Sequence, residues 1–275
     1  MEILQSSEVL IRLGWFVGLF VLITTLESMF PRRVRQVLRR RRWPSNIGVS
    51  GLSQLLVRLL LPISAIALAV TAEHNQWGVL AHVNLPTWLE VVIAILVLDL
   101  AIYWQHRIFH SVPLLWRFHQ MHHADTEFDI STGVRFHPLS VLLSACIKLA
   151  AIVALGPAPI AVFVFEVLLN GTSLFNHSNL KLHPVAERMM RYVVVTPDMH
   201  RVHHSSDLGE MNCNFGFSFP WWDRIFRSYQ AQPSKGHLDM EIGLNVYRDV
   251  KELRIDRMLT QPFRTQPLLR SQKVV

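Results

Sequence analysis

Apolar residues run in blocks along this chain. Val9 to Met29, Val49 to Thr71 and Leu85 to Trp104 are nearly free of charge. Each is long enough to cross about 30 Å of hydrocarbon as a helix. A fourth tract, Leu139 to Phe175, is interrupted by Gly156-Pro157-Ala158-Pro159. Proline and glycine there predict two helices of roughly sixteen residues joined by a tight turn. The pattern therefore predicts an all-α integral membrane protein with about four to five apolar helices. Glu2 and Glu8 stand where a cleavable leader would be basic, so the first block is expected to stay as an anchor.

Composition agrees with the pattern. Of 275 residues, 51% are hydrophobic and 17% charged, against about a quarter charged in soluble domains. The net charge of +7 is concentrated in Arg32, Arg33, Arg35 and Arg39 to Arg42, just after the first block. A basic run beside a span marks the cytoplasmic side, and contact with anionic lipid headgroups is expected of it. No aromatic residues interleave with it as they would in a nucleic-acid surface, so no nucleic-acid partner is expected. Propagating that orientation, the third block returns to the cytoplasm beside His106, and a spanning hairpin brings His177 back to the same face. Two cysteines, Cys146 and Cys213, suggest neither a disulfide framework nor a thiolate metal site. The organisation expected is an anchor region with a basic loop (1–84), a histidine-rich catalytic region with a membrane hairpin (85–230) and a polar tail (231–275).

The chemistry lies in the histidines. Three clusters stand out: His106-x-x-x-His110, His119-x-x-His122-His123 and His200-x-x-His203-His204. On a helix, spacings of three and four put side chains on one face, so each cluster aims its imidazoles at one point. Neutral imidazole is the commonest protein metal ligand. The third apolar block runs straight into the first cluster. His177 emerges from the hairpin on the same side and joins the expected ligands; for His137, in Arg135-Phe136-His137-Pro138, ligation and a supporting or packing role are equally open. Asp99, inside the third block, is expected to accept the second ring N–H of a ligating histidine, with pairing to Arg107 as the structural alternative. Asp125, Glu127 and Asp129 read as solvated, and His74, His82, His183 and His237 as surface or loop residues. Eight or nine imidazoles exceed the roughly four to six ligands of one ion, which points to a dinuclear centre. No H-E-x-x-H zinc-peptidase helix occurs, and haem would need only one or two axial histidines. A di-iron centre that activates oxygen is the reading with a use for a membrane location. A metal-dependent membrane hydrolase and a membrane metal-binding or transport protein stay open.

The stretches His106-Arg107-Ile108-Phe109-His110, Trp116 to His123, Phe136-His137-Pro138, Phe175 to Asn179 and Thr196 to Ser205 resemble the fatty acid hydroxylase/sterol desaturase superfamily, as do Asn214-Phe215-Gly216 and Trp222 to Phe226. The likeness runs over roughly residues 90 to 230. It implies a membrane enzyme with two iron ions that uses O2 and externally supplied electrons to hydroxylate or desaturate a lipid from the bilayer. The ligands it implies are His106, His110, His119, His122, His123, His200, His203 and His204, with His177 in addition. Ser140 departs from the acidic residue expected after His137-Pro138-Leu139. No flavin or dinucleotide fingerprint is present, so the electrons are expected from a ferredoxin or a cytochrome with its reductase.

Overall fold

The computed structural model describes residues 2–264. Among them no strand forms, and the only bridges are the isolated pairs Pro31 with Leu180 and Ser205 with Ile242. The long helices are α1 (Glu2–Met29), α2 (Arg39–Leu60), α3 (Ala65–His74), α4 (Thr87–Ser111), then α5 (Pro113–His123), α6 (Pro138–Leu155) and α7 (Pro159–Asn176). Short helices follow: α8 (Pro184–Met190), α9 (Pro197–His203), α10 (Leu208–Met211), α11 (Trp221–Ile225), α12 (Gly236–Asp239) and α13 (Ile255–Thr260).

Five helical segments, with α2 and α3 together counted as one, are long and apolar enough to cross a membrane. Leu13, Val17 and Val21 of α1, Leu55 and Leu59 of α2, Trp88 and Val92 of α4 and Ile160 and Val164 of α7 point outward. A soluble chain would bury such a belt; a bilayer solvates it. The chain is an integral multi-pass membrane protein.

The hairpin breaks where glycine and proline require it. Gly156 caps α6 with φ +64, the left-handed region glycine tolerates, and Pro159 opens α7 at a position where no helical N–H is needed. A Cβ on Gly156 would lie 2.0 Å from the Trp77 carbonyl oxygen, so the turn also needs a close backbone approach. The second apolar block departs from expectation. It is two helices, because Pro62 cannot continue α2 and the Ser64 hydroxyl caps α3 by accepting from the Ala67 N–H.

Inside the bundle, Ala65 and Ala69 of α3, Leu98 and Ile102 of α4, Ile152 of α6 and Val162 and Phe165 of α7 form one buried cluster. The C-terminal ends of α1, α4 and α7 and the N-terminal ends of α2 and α6 carry Glu27, His106, His177, Arg42 and His137, so all meet at one end of the bundle. There α5 and the short helices form a cap. Residues 251–264 are not a free polar tail: Met258 packs with Val49 and Met121, and Gln261 is buried. Residues 265–275 of the expected tail lie outside the described residues.

Candidate metal centre

The centre is assembled from four chain segments. The last turns of α4 carry His106 and His110 on one face, α5 supplies His119, His122 and His123, and α9 supplies His200 and His203 with His204 at its C-cap. His177 occupies the C-cap of α7. Helix α9 is set locally by Pro197 in its first turn and by the Thr196 hydroxyl, which accepts from the Met199 N–H.

All nine imidazoles converge in two groups. His106, His110, His119, His123 and His203 form one; His122, His177, His200 and His204 form the other, and in each group the ligand atoms lie within 4.8 Å of one another. His110 is half-buried and the other eight are buried. Burial pushes the pKa values of His119, His122, His123, His200, His203 and His204 well below the usual range, and that of His177 to about 3. The imidazoles outside the spans are therefore neutral at physiological pH.

Each neutral imidazole has one proton, and three of them have committed it. The Nδ1–H of His106 donates to the Phe215 carbonyl, that of His203 to the Cys213 carbonyl and that of His177 to the Ser173 carbonyl, each at 2.8 Å. Their Nε2 atoms are thus bare lone pairs. Yet Nε2 of His203 lies 3.0 Å from Nε2 of His106. Two lone pairs facing at that distance repel unless a cation lies between them. The Nε2 pairs His106 with His119, His110 with His123, His122 with His177 and His177 with His200 are each 3.1 Å apart. Nitrogens bound at right angles to one ion at about 2.1 Å would lie about 3.0 Å apart. His204 has no hydrogen-bond partner for either ring nitrogen, a loss of about 1–3 kcal/mol per orphaned group. The donor set fits metal ions in both groups.

The loop 213–219 holds the first group from outside. It offers the carbonyls of Cys213 and Phe215, and carboxylates fix its backbone. Asp223 accepts from the Phe215 and Gly216 N–H groups, each at 2.8 Å, and from the Ser228 hydroxyl at 2.7 Å. Asp99 corrects an expectation: it accepts from no histidine, but from Trp222 Nε1 at 2.8 Å and from the Ser218 and Phe219 N–H groups at 3.3 Å. It lies two turns below His106, too deep for a ring N–H but level with the descending loop. His137 is likewise outside both groups. It caps α6 by accepting from the Leu139 N–H at Nδ1, donates its Nε2–H to the Leu259 carbonyl at 3.3 Å and packs on Phe118.

The carboxylates after α5 are not solvated. Asp125 and Asp129 are buried against the fully buried Arg42, at 2.6 and 2.9 Å. Burial alone would raise the Asp125 pKa, but Arg42 and Arg135 outweigh it and hold it at about 2. Arg135 in turn donates to the Met121 carbonyl and to Asn46. Glu127 is half-buried and accepts from the Gln36 and Val37 N–H groups at 2.7 Å. His237 is buried beside Asp198 rather than exposed, whereas His183 is exposed and caps α8. Of the basic run, Arg32 pairs with Asp198, Arg35 and Arg39 with Glu27, and Arg33 donates to the carbonyls of His237 and Met240.

Residues 91–228 match the family model for fatty acid hydroxylase. Among curated relatives, an ornithine lipid hydroxylase of Rhizobium tropici is 28% identical over 57% of this chain and 46% of its own length. An alkylglycerol monooxygenase of Homo sapiens is 27% identical over 67% of this chain and 41% of its own, and a cholesterol 25-hydroxylase of Mus musculus 27% over 52% and 48%. The chain thus aligns with less than half the length of these relatives. No solved structure matches.

Proposed function

The chain belongs to the fatty acid hydroxylase family, and from that premise we propose that it is a membrane-bound oxygenase that hydroxylates or desaturates a lipid with O2 and externally supplied electrons. The observation that carries this reading is the pair of bare, buried Nε2 atoms of His106 and His203 at 3.0 Å within two groups of five and four imidazoles. We assign two iron ions to those groups, with His106, His110, His119, His123 and His203 holding one and His122, His177, His200 and His204 the other. Iron would supply the redox chemistry that breaks an unactivated C–H bond, which side-chain acids and bases do not. Hydroxylation consumes one O2, two electrons and two protons per C–H bond and releases one water; desaturation with the same inputs releases two.

The chain's own residues bind and orient. Carbonyls of Phe215, Cys213 and Ser173 fix three ligand tautomers. Phe136 stacks on His122 at 4.1 Å between ring centroids, and Phe128 and Phe215 pack against His204 and His203, which keeps bulk water from the centre. We place the cap on the cytoplasmic side, facing a ferredoxin or a cytochrome with its reductase, with the exposed Arg40 and Arg41 against anionic headgroups.

The test is metal analysis with Mössbauer spectroscopy on detergent-purified protein grown in iron-57 medium, followed by oxygen uptake with reductant and lipid. About two coupled irons per chain, with one lost in His203→Ala, is the expected result. Zinc alone despite ample iron, with no oxygen consumed, would replace this reading with a hydrolase or metal-binding protein.

A further inference from the structure

The cap carries an apolar surface that no described residue covers. Along α8 and the turn after it, Val185, Met189, Tyr192 and Val193 follow the spacing of a single helical face, and all are exposed, Met189 at 67%. Trp221 and Ile225, one turn apart on α11, are exposed as well. The two helices are tied together: Trp221 Nε1 donates to the Tyr192 carbonyl at 2.6 Å, and Arg224 donates to the Arg191 carbonyl at 3.0 Å. Lys181, Arg188, Arg224 and Arg227 are exposed on the same segments. The carboxylates there turn inward, Glu187 to Arg191 and Thr196, and Asp223 to loop 213–219.

Both ends of this surface are fixed at the level of the spanning helices. On one side, Trp222 donates to Asp99 at 2.8 Å, and Phe226 packs on Tyr103 and Trp104 at 5.4 and 4.9 Å between ring centroids. Those partners belong to α4, which is apolar enough to span over Thr87–Ser111, and Asp99 lies about 10 Å along it from His106. So α11 lies beside the last turns of a spanning helix rather than above them. On the other side, the Lys181 N–H donates to the Phe30 carbonyl at 2.8 Å and Leu180 bridges Pro31, just where α1 ends with Met29 and Phe30 exposed. Helix α8 begins three residues later, so its exposed face continues the outward apolar belt of the bundle.

We propose that α8 and α11 form a membrane-binding ridge of the cap, lying in the plane of the leaflet on the cap's side. Its apolar face enters the boundary between headgroups and acyl chains, and Lys181, Arg188, Arg224 and Arg227 meet anionic headgroups. An amphipathic surface with tryptophan and tyrosine at its centre and cations around it is what that boundary binds. A soluble carrier would need a face directed away from the bilayer, whereas this one lies level with Asp99 to Arg107 of α4. Phe219, at the end of loop 213–219, stacks on Trp221 at 4.6 Å, so lipid at the ridge borders the loop that fixes the His106 and His203 tautomers. The inference rests on the spanning bundle and not on the oxygenase reading.

The test is nitroxide accessibility in the full chain, in phosphatidylcholine nanodiscs that leave both faces open to solvent. In a Cys146→Ser/Cys213→Ser background, labels are placed at Met189→Cys and Ile225→Cys, with exposed Leu55→Cys in α2 as the reference for lipid and exposed Lys235→Cys in the cap as the reference for water. Oxygen concentrates in hydrocarbon and a water-soluble nickel chelate is excluded from it. The ratio of oxygen to nickel collisions at positions 189 and 225 is expected to lie several-fold above that at 235 and at or below that at 55. Ratios equal to that at 235 would overturn the ridge by placing it in water. Low access to both reagents would also overturn it, by showing protein over the surface, whether a second copy or another part of this chain. A second measurement reads the charges. Adding phosphatidylserine should raise the ratio at Ile225→Cys, and Lys181→Glu/Arg188→Glu should remove that rise. No response to phosphatidylserine, or a rise that survives charge reversal, would overturn the headgroup contact.

Discussion

At the scale of the residue, the centre is governed by which nitrogen carries each proton, and that is decided by a loop that contains no ligand. His106 and His203 keep Nε2 bare because the Phe215 and Cys213 carbonyls take their Nδ1 protons, and Asp223 holds that loop by two backbone N–H bonds. In Asp223→Asn an amide replaces one of the two accepting oxygens, so the loop loosens. Metal affinity is expected to fall about 10- to 100-fold, read by competition with a chelator, while the helical bundle stays folded. The same carboxylate carries a pH signature. Burial pushes its pKa from the usual carboxylate range up to about 6, against the bonds from Ser228, Gly216 and Phe215. A folded-state pKa above the unfolded one means the ionised group costs stability above pH 6, and that cost is relieved as pH falls toward 4. The shift corresponds to about 3 kcal/mol at full relief. Melting temperatures of wild type and Asp223→Asn should therefore diverge in favour of the wild type as pH drops from 7 to 4. Parallel curves would show that Asp223 does not titrate in this range.

At the scale of the element, helices were legible where the sequence carries its own punctuation, and supports were illegible where their partners are remote. Gly156 and Pro159 wrote the hairpin turn, and helical spacing wrote the histidine faces. Pro62 carried the same message for the second block, where hydrophobicity alone suggested one helix. Asp125 and Asp129 looked solvated because their partner Arg42 is 83 and 87 positions away; acidic residues in a turn give no sign of a distant cation. Asp99 is legible as a carboxylate inside an apolar block that needs a partner, but its donors are 119 to 123 residues on. The buried pair tests this joint between α2 and the turn after α5. Arg42→Met removes the ion-pair partner of two buried carboxylates and should cost about 3–5 kcal/mol, visible as a large drop in thermal stability with loss of bound metal. Gly156→Ala is expected to destabilise by more than about 1 kcal/mol, since alanine at φ +64 is strained and its Cβ meets the Trp77 carbonyl. A neutral outcome there would mean that the turn rearranges without consequence for packing.

At the scale of the whole molecule, one polar end of the bundle gathers every candidate ligand, and its side of the membrane decides which electron donors can reach it. The basic run is the evidence for sidedness, and most of it is internally employed in the folded protein: Arg32, Arg35, Arg39 and Arg42 pair with carboxylates of this chain. That does not cancel the orientation argument. Positive charges act on topology during insertion, before those pairs form, so all seven arginines count then even though of the seven only Arg40 and Arg41 are exposed afterwards. The consequence is testable at two exposed positions at opposite ends of the bundle, Asn84 before α4 and Lys235 in the cap. With the native cysteines replaced by serine, a membrane-impermeant maleimide applied to intact cells should label Asn84→Cys, and Lys235→Cys only after permeabilisation. The reverse pattern would put the metal centre on the outer face, away from cytoplasmic ferredoxins and cytochromes, and would require electrons from a donor within the membrane or beyond it.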